Sequence, residues 1–348
     1  MNSRALIALV AGAVLGGCAR APKPKVPQAF PLATLWTASL DAALDPPLAM
    51  DERRLYLSTR AGDVRALSRA DGAEAWRVKG LKGVVSAVPG TVVVRGAEGR
   101  VQSLQPRTGE VRWTAESSVP GGLPAVIDRD LVLIAGTGLA ALDAASGRVV
   151  WAAPPGPIVT SLPASGGTQI VVGEADGTLR GRDRATGASL WTFRTAEPLI
   201  APAIIDERGE VYVGTSDRRL LRLGPKGNRH WHWKVGADIA SPPALAGDLA
   251  LFTSFDATLY AIHRGNGKLA WRAGLPSRPL SGPLVVGQTV LVGCHESEIV
   301  GFSLATGTAV GALKLPAEIR GSPLESGGSI FVGLRDLRVV GLQVAGQP

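Results

Sequence analysis

Seven tryptophans, Trp36, Trp76, Trp113, Trp151, Trp191, Trp231 and Trp271, stand 40, 37, 38, 40, 40 and 40 residues apart. Most close a stretch of the same kind, a small turn followed by two or three variable residues and then Trp, as in "RTGEVRW" (107–113), "ASGRVVW" (145–151), "ATGASLW" (185–191) and "GNGKLAW" (265–271). Another 40 residues on, "ATGTAVG" keeps the turn and puts Gly311 where the Trp would stand. A period of this size restricts the chain to a solenoid, a propeller or an array of small units.

The interior of one period chooses among them. Residues 241–247, 249–255, 258–264 and 267–273 form four short runs of β-type residues separated by Gly, Asp and Asn turns, and the preceding unit repeats them as "APAIID", "EVYVGTSD", "RLLRLG" and "NRHWHW". Strands of this length at this spacing indicate an all-β fold, and no stretch keeps an apolar period of 3.6 residues. Four strands per repeat make one propeller blade. The Thr-Gly or Asn-Gly pair supplies the positive φ of a tight hairpin between the third and fourth strands. The Trp then falls on the fourth, outermost strand, where its ring can cover the seam to a neighbouring blade while its N–H meets a carbonyl. These seven tryptophans therefore set the blade register.

The count closes only as a circle. After Gly311 the chain supplies three strands, "IRGSPLES" (319–326), "SIFVGL" (329–334) and "RVVGLQ" (338–343). The missing fourth is "ATLWTAS" (33–39) at the other end. The expectation is an eight-bladed propeller of four-stranded antiparallel blades over residues 33–348, its last blade completed by the N-terminal strand, which leaves no open seam in the ring.

The N-terminus reads differently. A basic start, the 13-residue apolar run "ALIALVAGAVLGG" (5–17) and Cys18 follow one another directly. Thirteen residues are too few to cross a bilayer core, which takes about 20, so residues 1–17 read as an export signal. "LGGC" resembles the lipobox of bacterial lipoproteins, which implies lipid attachment at Cys18, and Ala19 after the cysteine implies the outer membrane, on its periplasmic face. Acyl chains at about 0.8 kcal/mol per buried CH2 anchor such a protein stably without a span. Residues 18–32, rich in Pro, read as a tether. Beyond Cys18 only Cys294 remains, so no disulfide can form within the mature chain and stability must come from packing. The formal charge of +8 is spread without a basic run, which reads as a solvated surface and not as a nucleic-acid site.

No enzyme constellation stands out. "HWHW" (230–233) puts His230 and His232 on one face of a strand, but two imidazoles without a third ligand do not make a metal site. Cys294 and His295 are adjacent on a strand, point to opposite faces, and so read as a core thiol beside a surface His. The glycines of "GGTQIVVGEADG" precede no helix and make no phosphate cradle. The acid of "LPAEIRG" reads as a loop carboxylate.

A consensus "VYVGxxDGxLYALDAxTGKxxW" is carried by residues 210–231, 169–191 and 131–151. It resembles the PQQ-like propeller repeat over about 310 residues. Within that group, the quinone-dependent dehydrogenases are longer and carry an adjacent Cys-Cys pair and a Ca²⁺ carboxylate set, neither of which this sequence shows. The lipobox, tether and single bare propeller are similar to the BamB family of lipoprotein scaffolds in outer-membrane β-barrel assembly. That resemblance implies a monomeric protein without catalytic residues, cofactor or metal, held to the membrane by its lipid. It would bind a BamA-like assembly protein through loops on one face of the ring. By blade position those loops are 156–163 and 195–202, with Ile158, Val159, Glu197, Leu199 and Ile200 as the contact residues. Alternatives are an envelope propeller that binds cell-wall polymer or another envelope protein, and a PQQ-dependent enzyme.

Overall fold

The computed structural model describes residues 32–344 with the exception of Ala97; Cys18, the expected signal and the expected tether up to residue 31 lie outside the described residues, and Leu32, given to the tether from the sequence, belongs to a strand. The described chain forms eight four-stranded antiparallel sheets and no helix long and apolar enough to cross a membrane. Seven sheets use consecutive strands: blade 1 spans 44–78, blade 2 84–116, blade 3 126–152, blade 4 164–194, blade 5 204–234, blade 6 244–274 and blade 7 284–314. Blade 8 takes three strands from residues 324–344 and its outermost strand from Leu32–Ser39, which pairs antiparallel with Arg338–Val344. The ring is closed as expected, with the closing strand starting at Leu32, one residue earlier than the sequence suggested.

Because each blade is a simple meander, its turns segregate. The connections between blades and the turns joining second to third strands lie on one face of the ring, here the connection face. The turns joining first to second and third to fourth strands lie on the other, the hairpin face. The core is divided likewise: the buried side chains form eight clusters, one in each seam between neighbouring blades. Burying one Leu or Val side chain is worth about 1.5–3 kcal/mol, against about 0–1 kcal/mol for an exposed ion pair. Adhesion between blades therefore carries most of the stability.

The tryptophans explain how that adhesion is repeated. The indole Nε1–H of Trp36 donates to the carbonyl of Arg69 in the following blade, and Trp76, Trp113, Trp151, Trp231 and Trp271 do the same to Pro106, Ala144, Arg184, Arg264 and Leu304, all at 2.9–3.0 Å. Trp191 departs from the pattern: its N–H donates to Oε1 of Gln169 in its own blade at 3.1 Å, and Gln169 passes the link on through its Nε2 to the carbonyl of Gly209 in blade 5. Seven seam clusters contain or flank one of these Trp rings, whereas the seam between blades 7 and 8 is filled by aliphatic residues alone.

The repeat is also visible at the bulge beside each Trp. On the third strand of seven blades the residue after the partner of the Trp, or of Gly311 in blade 7, is Leu67, Leu104, Leu142, Leu223, Ile262, Phe302 or Leu342, all buried. Blade 4 alone puts an Arg there, Arg182.

Candidate functional site

Two consecutive blade connections on the connection face hold the residues singled out from the sequence. The connection from blade 3 to blade 4 is fixed by backbone bonds from Val159 N to Gly136 O at 2.8 Å, from Ala175 N to Ile158 O at 2.8 Å and from Thr160 N to Gly173 O at 2.9 Å. Thr160 Oγ1 donates to Leu199 O at 2.6 Å, so this connection is tied directly to the next one. The second connection is held by hydroxyls on its carbonyls, Thr195 Oγ1 donating to Glu197 O at 2.7 Å and Ser216 Oγ to Pro198 O at 3.1 Å.

The side chains divide by alternation along the chain. Val159 and Leu199 are 4% and 0% exposed and plug the cores of the blade 3–4 and blade 4–5 seams. Their neighbours Ile158 and Ile200 are 54% and 51% exposed. Of the five residues expected to contact a partner, then, Ile158, Ile200 and the exposed Glu197 present side chains to solvent, and Val159 and Leu199 are structural. An extended backbone points successive side chains to opposite sides, and the sequence alone does not say which of two adjacent apolar residues is the plug.

Glu197 has company that the sequence reading missed. It lines a cleft of about 470 Å³ together with Asp217, Arg218, Arg219, Lys234 and Asp238. Arg219 pairs with Asp217 at 2.8 Å, so three carboxylates and three cations share the rim. A signal for it exists: Asp217-Arg218 stands where blade 4 has Asp176-Gly177, and Arg218 takes the left-handed φ of 65° that Gly177 takes at 81°. A bulky cation in a glycine conformation costs strain that ordinary turn chemistry avoids.

The remaining sequence candidates are dispersed. His230 Nδ1 lies 3.1 Å from the buried Glu210, His263 Nδ1 2.9 Å from Asp248 and His295 Nδ1 3.0 Å from Glu318, three separate pairs. Among the described residues no three His, Cys, Asp or Glu side chains converge as a metal set. Cys294 is fully buried in the blade 6–7 seam, and burial, aided by Glu298, pushes its thiol up to about 11. A thiol held protonated in this way is a packing group and a poor nucleophile.

With this architecture in view, comparison with known proteins decides the family. A family model described as outer membrane protein assembly factor BamB matches residues 33–120, 97–232 and 175–340, which together run through almost the whole ring. The chain belongs to that BamB family. Among curated BamB-family relatives, outer membrane protein assembly factor BamB of Bordetella pertussis is 25% identical over 286 residues, 74% of this chain and 72% of that protein. A Nitrosomonas eutropha BamB is 25% identical over 132 residues, 38% of this chain. The serine/threonine-protein kinase AfsK of Streptomyces griseus is 26% identical over 222 residues, 56% of this chain. The matched stretches span only 27% of the kinase and 32% of the Nitrosomonas protein. The crystal structure of BamB from Moraxella catarrhalis superposes with a TM-score of 0.77 at 19% identity, covering 90% of this chain and 99% of that one. At such identity the likeness shows the fold.

Proposed function

We propose that this chain is a non-enzymatic, periplasm-facing lipoprotein scaffold, accessory to outer-membrane β-barrel assembly, anchored through Cys18 and reaching its partner through the connections between blades 3 and 4 and between blades 4 and 5. Membership of the BamB family supports the general role. The observation that carries the site is the pair Ile158 and Ile200: equivalent connections in successive blades each turn one large apolar side chain to water, the first with its backbone bonded to the sheets and the second held by side-chain hydroxyls on its carbonyls and by the buried Leu199. Apolar anchors on rigid loops lose little entropy when covered, which is the pattern of an interface centre. The mixed charges around Glu197 and Asp217 would form the polar rim that sets register.

The test is a mild-detergent pull-down with crosslinking of the lipidated protein from its own envelope, comparing wild type with Ile158→Asp/Ile200→Asp. Recovery of a BamA-like assembly protein by the wild type and its loss from the variant, at unchanged melting temperature, is the expected result. Recovery of glycan or of unrelated envelope proteins, unaffected by the two substitutions, overturns the assignment.

A further inference from the structure

Arg182 is an Arg where every other blade places a buried Leu, Ile or Phe. Its side chain is only 11% exposed. Seven blades show what the fold asks for at this bulge, so the guanidinium is a departure that packing does not need, and departures of that kind concentrate at functional sites.

Its surroundings do not neutralise it. Arg180, two residues earlier on the same face of the strand, engages the buried Glu174 through Nε at 2.7 Å and Nη2 at 2.9 Å, taking both carboxylate oxygens. Arg182 is left with the carbonyl of Gly187 at 2.9 Å, a distant approach of 4.0 Å to Glu174, and an Nε–H that is buried without a partner. Burial, together with the neighbouring Arg180 charge, shifts the Arg182 guanidinium below its ordinary value. Two guanidiniums thus share one carboxylate.

These groups line a cleft of about 330 Å³ whose other wall is Pro154, Pro155 and Pro157. Prolines carry no N–H, so that wall offers ring faces and carbonyl oxygens but no competing backbone donor at those residues. The outer strand of blade 3 that leads to the proline wall exposes Val149 and Val150, and the outer strand of blade 4, which starts at the lining residue Ser189, exposes Leu190. An apolar wall, a buried cation short of one anion and exposed aliphatic flanks together describe the complement of an acidic residue set between apolar ones in an extended chain.

We infer that the blade 3–4 cleft binds a protein segment of that kind, seating one Asp or Glu carboxylate on Arg182 while the flanking residues lie along the prolines and the outer strands. The inference does not rest on the assembly reading, because the pull-down and the test below fail independently.

The probe is acetyl-Thr-Val-Glu-Val-Thr-amide at millimolar concentration, followed by the amide resonances of residues 182–189, beside its Gln counterpart and beside acetate. The Gln side chain can accept a hydrogen bond from Arg182 but carries no charge, and the charged acceptor present only in the Glu peptide corresponds to roughly tenfold tighter binding or more. The expected result is saturable shifts with the Glu peptide, at least about tenfold weaker binding of the Gln peptide, and no saturation with acetate. Arg182→Leu restores the residue of the other blades, so it is expected to fold, to melt at a higher temperature, and to lose the Glu-over-Gln preference. Equal binding of both peptides, no binding of either, acetate matching the Glu peptide, or an Arg182→Leu protein that melts lower and keeps the preference each overturns the inference.

Discussion

Gly187 lies against the indole of Trp151, a residue of the preceding blade: a methyl group built on this glycine would come 2.5 Å from Cε3 of the ring. The same contact recurs between Gly72 and Trp36, Gly109 and Trp76, Gly147 and Trp113, Gly227 and Trp191, Gly267 and Trp231, and Gly307 and Trp271. The turn and the Trp that follow each other in sequence are thus not partners. Each turn glycine receives the Trp of the blade before it, and each Trp is delivered to the turn of the blade after it.

Gly187→Ala should therefore fail twice. Its φ of 72° is left-handed and its added methyl has no room, which together predict a loss of about 1–3 kcal/mol. Gly247→Ala is the control, since φ is 56° there but nothing lies within 4 Å of the new methyl. Urea unfolding of the two variants should show the larger drop at Gly187; equal losses would mean that the Trp contact is irrelevant.

Trp271→Phe keeps an aromatic ring in the blade 6–7 seam and removes the N–H that donates to Leu304 O at 3.0 Å, so a loss of about 1 kcal/mol beyond the volume change is expected. Gly311→Trp is the converse. The blade it faces has no hairpin between third and fourth strands, because those strands are Arg338–Val344 and Leu32–Ser39 from opposite ends of the described chain. With no turn glycine to receive it, the added Trp should leave the melting temperature unchanged or lower it, and a clear rise would contradict the pairing of turn and ring.

Deletion of residues 32–39 removes Leu32 from the blade 7–8 cluster and Trp36 from the blade 8–1 cluster at once. It also leaves the strand Arg338–Val344 without its outer partner. A steep fall in melting temperature by circular dichroism is expected, and an unshifted transition would show that the ring does not depend on its closing strand.

Asp41, in the connection from that closing strand to blade 1, is hydrogen-bonded by Arg65 and by Arg77, which hold its carboxyl down at about 2 from an ordinary 3.8. A folded-state value below the unfolded one means stability that is present above pH about 4 and lost as the pH falls toward 2. Since Asp41 is exposed, the effect is modest and screened by salt. The difference in melting temperature between wild type and Asp41→Asn should be measurable at pH 6 in low salt and shrink strongly as the pH falls to 2. A difference that stays undiminished at pH 2 would assign the effect to something other than these ion pairs.

The sequence by itself determined the ring. The 40-residue interval, the Gly that must take positive φ and the three strands left over after Gly311 together allow little besides eight blades closed by residues near the N-terminus, because a repeat that cannot bury its faces alone must stack on its neighbours. The tertiary structure decided what crosses the seams. It showed that a Trp meets the glycine of the next turn and not its own, that Val159 and Leu199 are plugs while Ile158 and Ile200 face water, and that Arg182 sits in a core position beside a carboxylate already taken by Arg180. The first of these joins residues more than 30 positions apart, the second reverses between adjacent ones, and the third depends on which of two nearby guanidiniums reaches Glu174. A one-dimensional pattern records the period of a repeat, whereas which faces meet is settled only when the blades pack.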